Sequence, residues 1–432
     1  MQCWYFGNYP GLMNKAAGEL SFFPFPDNED DFLLALAQID WGKNAAKISQ
    51  AWRFFQKSYS EFPVNLAFTW YEPLHHSVVW PLHLIPVDQP MSPSWKFTFP
   101  QVSGDRIGEC ICFGHTLDEV LILLRRMDEF WSDGLNVMAA VESDYQNNSQ
   151  RLQDIGLNKA LGIQINSALN VFTFYDLREK LPHLPMEAQI QTLTKMQSLA
   201  EREIENSLNL RGLCEGDSRL GFHSEAEGYK YFAEKLAWRA DLLRDLIKTD
   251  FPQVRMMIET GDVLFADYTG VKPEGDVCTC RQNKSDSHQI SDWGCFQTWR
   301  DEKNVFFSLK LDGRKSDFAM VDLAIEPRRL WPTLAYQIFS EGQLWHIPKG
   351  GTEADPRWNA KITTDADEKS VEFTVPLACF GQNGGLPTPV RFNLTIKMPD
   401  GSEASWVKKN PFESRLIFNA ENPADLGWLL IK

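Results

Sequence analysis

Several short stretches gather side chains of the types that do chemistry. In DSRLGFHSE, Ser218 and His223 are nucleophile and base types, flanked by Asp217 and Arg219. A serine nucleophile needs its base oriented by a third group and an oxyanion hole, and no Gly-x-Ser-x-Gly elbow is present. The expectation is an ion pair between Asp217 and Arg219 that locks this loop ahead of a helix. CTCRQNKSDSHQISDWGC brings Cys278, Cys280, His288 and Cys295 together, which are structural-zinc ligand types. Cys-x-Cys bites more tightly than the usual Cys-x-x-Cys, so unpaired buried thiols or a disulfide are expected and neither metal nor cofactor is assigned. GDRIGE sets Asp105 beside Arg106, which reads as a loop salt bridge rather than as a general acid. His75 and His76 are adjacent and cannot face one site from a regular strand, so both read as surface or core histidines.

These residues need a scaffold, and composition bounds it. At 432 residues with 43% hydrophobic and 23% charged residues, the chain should form two or three domains with ordinary cores. A net charge of -15 excludes a phosphate-tracking surface, so neither nucleic acid nor an anionic membrane is an expected partner. No apolar run is long enough for a transmembrane helix, and no signal-peptide pattern opens the chain. Its 8 cysteines show no disulfide framework. The 15 Trp, 29 Phe and 10 Tyr suit large cores and also clefts in which flat rings stack on sugars.

Along the chain, the opening MQCWYFGNYPG reads as a buried strand with almost nothing in front of it. The spacing of Ala45, Ile48, Trp52, Phe55 and Tyr59 predicts a helix over 43 to 61. The Pro-rich stretch at 70 to 95 predicts an extended wrap over a surface. Thr116 with Glu119 and Ser224 with Glu227 form capping-box patterns that open two helices, the second with a stripe that includes Tyr229 and Phe232. A further stripe runs from Ile190 to Leu208, and the three helices should form a bundle. From about 262, NVFFSLKL, FAMVDLAIE, AYQIFS, SVEFTVPL, VRFNLTIKM and SRLIFN switch to strand periodicity and predict an antiparallel β-sandwich. The fold class is α+β multidomain: an irregular aromatic region over 1 to 115, a helical bundle over 116 to 255 and a sandwich over 262 to 432.

Through FAMVDLAIEP, VRFNLTIKMPDGSEASW and RLIFNAENPADLGWLLIK, the sandwich resembles family 9 carbohydrate-binding modules. DSRLGFHSEAEGYKYF, and DDFLLALAQIDWGKNAAKISQAWRFF with YSEFP, resemble the region that follows the barrel in large glycoside hydrolase-like proteins of polysaccharide-degrading bacteria. The second resemblance makes MQCWYFGNYPG look like a last barrel strand, with Trp4, Asn8 and Glu19 as contacts at a barrel mouth. It implies a missing upstream catalytic barrel carrying the paired carboxylates of glycoside hydrolysis, so no acid and base are named in this chain.

The first resemblance implies a sugar site. Strand for strand its acid falls on Asp322, while its arginine falls on Gln337, its glutamine on Thr395 and its stacking tryptophan near Ser316. Trp331, Trp345, Trp358 and Trp406 offer an alternative platform, with Arg415 for bidentate hydroxyl contacts. The plainer alternative makes Trp406 and Trp428 core residues and Asp322 a solvated strand residue. An oligo- or polysaccharide is the expected partner of the accessory part of a glycoside hydrolase. The alternative is a scaffold protein whose sandwich has lost sugar recognition.

Overall fold

The structure is a computed structural model and describes residues 12–24, 27–87, 89, 91–92, 98–111, 115–223, 228–313, 317–326, 334–347, 358–365, 368–380, 389–409 and 425–432. The N-terminal half is helical: α1 (Leu12–Glu19), α2 (Glu29–Trp41), α3 (Ala45–Ser60), α4 (Leu66–Tyr71), α5 (Pro73–His76), α6 (Leu117–Glu142), α7 (Ser149–Lys180), α8 (Met186–Gly216) and, after a small hairpin, α9 (Ala233–Thr260). Among the described residues no helix is long and apolar enough to cross a membrane.

Local chemistry sets these elements. Thr116 and Glu119 close a full capping box at the start of α6, satisfying two backbone donors that a helix end leaves orphaned. The α3 stripe of Ala45, Ile48, Ala51 and Phe55 packs on α6, where Phe55 stacks on Trp131 at 4.2 Å. That approach needs Gly134, since a Cβ there would lie 2.4 Å from Phe55 Cε1.

α7 is the helix the periodicity does not show. Its inner face carries Gln164, Ser167 and Asn170 among apolar residues, which blurs the apolar stripe. Two of these groups are spent on Glu203 of α8, which accepts from Ser167 Oγ at 2.5 Å and Asn170 Nδ2 at 2.7 Å and pairs with Arg239 of α9 at 2.8 Å, while Gln164 Nε2 donates to the Tyr231 hydroxyl at 2.6 Å. With both of its oxygens held, Glu203 ties three helices together.

Two expectations are corrected. Tyr229 and Phe232 are not helical: β1 (Phe222–His223) pairs with β2 (Gly228–Tyr229), and α9 starts only after Phe232, its N-cap. The Ser224 and Glu227 pattern lies outside the described residues. The stretch at 70 to 95 is not wholly extended either, because Pro73 takes the first position of α5, where its missing N–H costs nothing.

Residues 261–276 join the halves, and Leu264, Phe265 and Tyr268 are buried in the helical core. Beyond them come β3 (Val277–Cys280), β4 (His288–Ile290), β5 (Gly294–Arg300), β6 (Asn304–Leu311), β7 (Met320–Glu326), β8 (Leu334–Phe339), β9 (Leu344–Ile347), β10 (Asn359–Asp365), β11 (Glu368–Pro376), β12 (Val390–Lys397), β13 (Glu403–Ser405) and β14 (Gly427–Ile431). They form a sheet in the order β10-β11-β6-β5-β4 and a second in the order β3-β14-β12-β7-β8-β9, with β13 on β12. Phe296, Phe307 and Phe373 from the first meet Leu323, Tyr336, Phe392 and Leu394 from the second. Among the described strands pairing is antiparallel except between β14 and β3, which run parallel. The chain is therefore α+β, a helical half followed by a β-sandwich.

Candidate functional site

Side chains at paired positions of neighbouring strands point to the same face of a sheet. On the outward face of the second sheet the register aligns Ser405, Thr395, Asp322, Gln337 and Trp345 across β13, β12, β7, β8 and β9. Two interstrand steps, about 10 Å, separate Asp322 from Trp345. The row is closed at its centre and open at its edge: Asp322 is 4% and Gln337 9% exposed, while Trp345 is 59% exposed. Thr395 and Ser405 share a hydrogen bond of 3.0 Å between their hydroxyls. Phe339 meets the Trp345 ring edge-on at 6.1 Å. Asp322 is thus a buried acid rather than a solvated strand residue.

The other aromatics stand apart from this row. Trp406 packs inside the sandwich against Phe392 at 4.6 Å and Phe296 at 5.4 Å. Trp358 contacts Tyr336 and His346, and Trp428 is buried under the Arg391 guanidinium. Trp4, Asn8, Ser316, Trp331 and Arg415 lie outside the described residues. Glu19 is exposed at the end of α1.

Asp217 and Arg219 do pair, through Arg219 Nε to Asp217 Oδ1 at 2.7 Å, and the hydrogen bonds from Arg219 hold the Asp217 carboxyl below the usual carboxylate range. Ser218 is exposed, and its carbonyl accepts from Tyr229 Oη. Cys278 and Cys280 point into the sandwich core from β3, and burial raises both thiols, Cys280 to about 12. Cys295 points to the opposite side of its own sheet from Phe296, on which His288 stacks. Among the described residues no group of three or more His, Cys, Asp or Glu could hold a metal ion.

Asp105 and Arg106 are not each other's partners, which corrects the loop reading. Asp105 accepts from Arg178 Nη1 of α7 at 2.7 Å. Burial alone would raise the Asp105 carboxyl, but Arg178 outweighs it and holds it below the usual range. Arg106 reaches across to Glu326 of β7 at 2.9 Å and lies 3.5 Å from Glu109. Burial pushes Glu109 up to about 7 despite Arg106 and the Tyr71 hydroxyl that donates to it. Glu326 and Arg391 are paired positions on the same outward face as Asp322. That face is therefore clasped to the helical half at one end and open at Trp345 on the other. Nothing in GDRIGE identifies partners so distant in sequence.

No protein-family model and no curated protein matches the chain. Among solved structures it is similar to a "putative carbohydrate-binding protein" from Bacteroides uniformis ATCC 8492, at 13% identity and a TM-score of 0.26, over 34% of this chain and 85% of that one. At that level the likeness assigns nothing to this chain.

Proposed function

We propose that the protein binds carbohydrate through the open end of the outward row, as a non-catalytic accessory part of a glycoside hydrolase. The observation that carries this reading is the solvent-facing Trp345 ring in register with the Gln337 amide and the Asp322 carboxylate. A pyranose is amphipathic: its C–H face stacks on an aromatic ring while its hydroxyls need donors and acceptors at the rim. The motif resemblance of β7, β12 and β14 to family 9 modules points the same way. Affinity electrophoresis of the full chain in gels containing neutral polysaccharides should show retention that Trp345→Ala weakens. Equal retention of that variant overturns the site, and robust hydrolysis by the purified chain overturns the accessory role.

A second reading is favoured by the burial of Asp322 and Thr395, which leaves little of the inherited row open to a ligand. On it the sandwich is a structural clasp, and no polysaccharide retains the wild-type protein.

A further inference from the structure

The outward face of the other sheet carries an aromatic pair that the site above does not use. On β5 and β6, Phe296, Thr298, Val305, Phe307 and Leu309 alternate into the core. The residues between them turn outward, and register pairs Trp299 with Phe306. Their rings lie 5.2 Å apart with planes only 9° from parallel, both half-exposed. The Lys284 ammonium sits 4.5 Å from the Trp299 centroid.

Register extends this row over the next two strands. Phe306 is paired with Thr374 on β11, and Thr374 with Asn359 on β10. Four strands give a track about 14 Å long, aromatic at one end and hydroxyl and amide at the other. In the adjacent row Ser308 adds a hydroxyl, while Glu372 and Lys361 cancel each other in a 3.1 Å ion pair. The contacts that tie the sandwich to the helical half and to the connector lie on the other sheet: Glu326 with Arg106, Arg391 with Asp267 and Trp428 under Gly270.

We infer that this face is a second carbohydrate-binding surface, one that takes a short stretch of a neutral polysaccharide along the Trp299, Phe306, Thr374 and Asn359 row. The inference rests on the carbohydrate reading given under Proposed function for its ligand class but not for its residues. A cross-strand aromatic pair alone would stabilise the sheet, and the track next to it decides for a ligand. Beyond the Lys284 ammonium at its aromatic end it is polar, with the Glu372 and Lys361 charges balanced, which suits a polyhydroxyl chain better than a strongly apolar partner.

The test uses the full chain in affinity electrophoresis against soluble β-glucan, xylan and mannan, with Trp299→Ala, Phe306→Ala, Trp345→Ala and the Trp299→Ala/Trp345→Ala pair. The expected result is that Trp345→Ala keeps residual retention and that the pair weakens it about tenfold further, as loss of one stacking contact would. Thr374→Arg, which fills the track and leaves both rings in place, should weaken retention as well, so a destabilised Trp299→Ala leaves the test intact. Wild-type affinity in Trp299→Ala, Phe306→Ala and Thr374→Arg overturns this inference, and a loss confined to Trp345→Ala then leaves the first site standing. Conversely, a loss in Trp299→Ala with none in Trp345→Ala overturns the first site and keeps the second. No retention of the wild type on any of the three overturns both.

Discussion

Arg106 Nη1 donates to Glu326 Oε1 at 2.9 Å across 220 residues of chain, and both side chains are withdrawn from water. One sits in the loop before α6 and the other at the end of β7, so the bond fastens the sandwich to the helical half. Removing one partner of a buried pair strands the other charge and costs about 3–5 kcal/mol, whereas replacing both with apolar groups is often neutral. Glu326→Ala should therefore lower urea stability by about that much, and Arg106→Met/Glu326→Leu should recover most of it. A loss below about 1 kcal/mol in the single variant would show that the joint lies elsewhere.

Glu109 makes the same joint sensitive to pH. Burial raises its folded pKa to about 7, against an ordinary value of 4.5. The folded protein thus holds this proton more tightly than the unfolded chain, so its stabilising contribution is full below about 4.5 and is lost as pH rises through about 7. Arg106, Tyr71 and Asp105 face it, and the Met91 amide donates to it. The difference in stability between wild type and Glu109→Gln, measured by denaturation from pH 4.5 to 8, should change by on the order of 2–3 kcal/mol. A difference that stays flat across this range refutes the assignment.

His76 behaves in the opposite sense. It is fully buried against Trp80, and neither ring nitrogen meets a hydrogen-bond partner among the described residues. Burial, reinforced by Lys235 and His75, depresses its pKa to about 3 from 6.5. A depressed histidine stabilises the fold above its unfolded pKa and loses that contribution as pH falls from about 6.5 through about 3. His76→Phe should move the acid-unfolding midpoint to lower pH, read by far-UV circular dichroism. An unchanged midpoint would exclude His76 as an acid trigger.

How much of this was readable in advance depends on whether a signal is local. The Thr116 capping box, the α3 stripe and the alternation in NVFFSLKL and SVEFTVPL are complete within a few residues, and the elements form where those patterns predict. α7 was invisible because its buried positions include Gln164, Asn170 and Arg178, whose partners lie on other elements. Asp105 and Arg106 misled for the same reason. Adjacency suggested a pair, while tertiary contacts gave each a different partner. The Asp322, Gln337 and Trp345 positions could be aligned strand by strand, but burial of the first two follows from what covers the sheet, which no strand pattern encodes. Trp299 and Phe306 had a usable signal, since both fall on the outward phase of their strands.

Gly270 tests whether clasp and binding row are separable. It has φ of 75° in the connector, and a Cβ there would lie 2.6 Å from Trp428 Cζ3 and 2.7 Å from Pro389 Cβ. The connector therefore presses its backbone onto the sandwich where Trp428 is covered by Arg391, which also lies 3.8 Å from Asp267. Gly270→Ala adds left-handed strain of about 1 kcal/mol and overpacking of about 1–3 kcal/mol, so thermal unfolding should show a loss of at least about 2 kcal/mol. The Asp322 row lies four residues along β7 from Glu326, about 13 Å from the clasp. Below the unfolding temperature, polysaccharide retention by Gly270→Ala should therefore match wild type. Retention lost in step with stability would mean that the helical half shapes the binding row, and that the two ends of this face act as one.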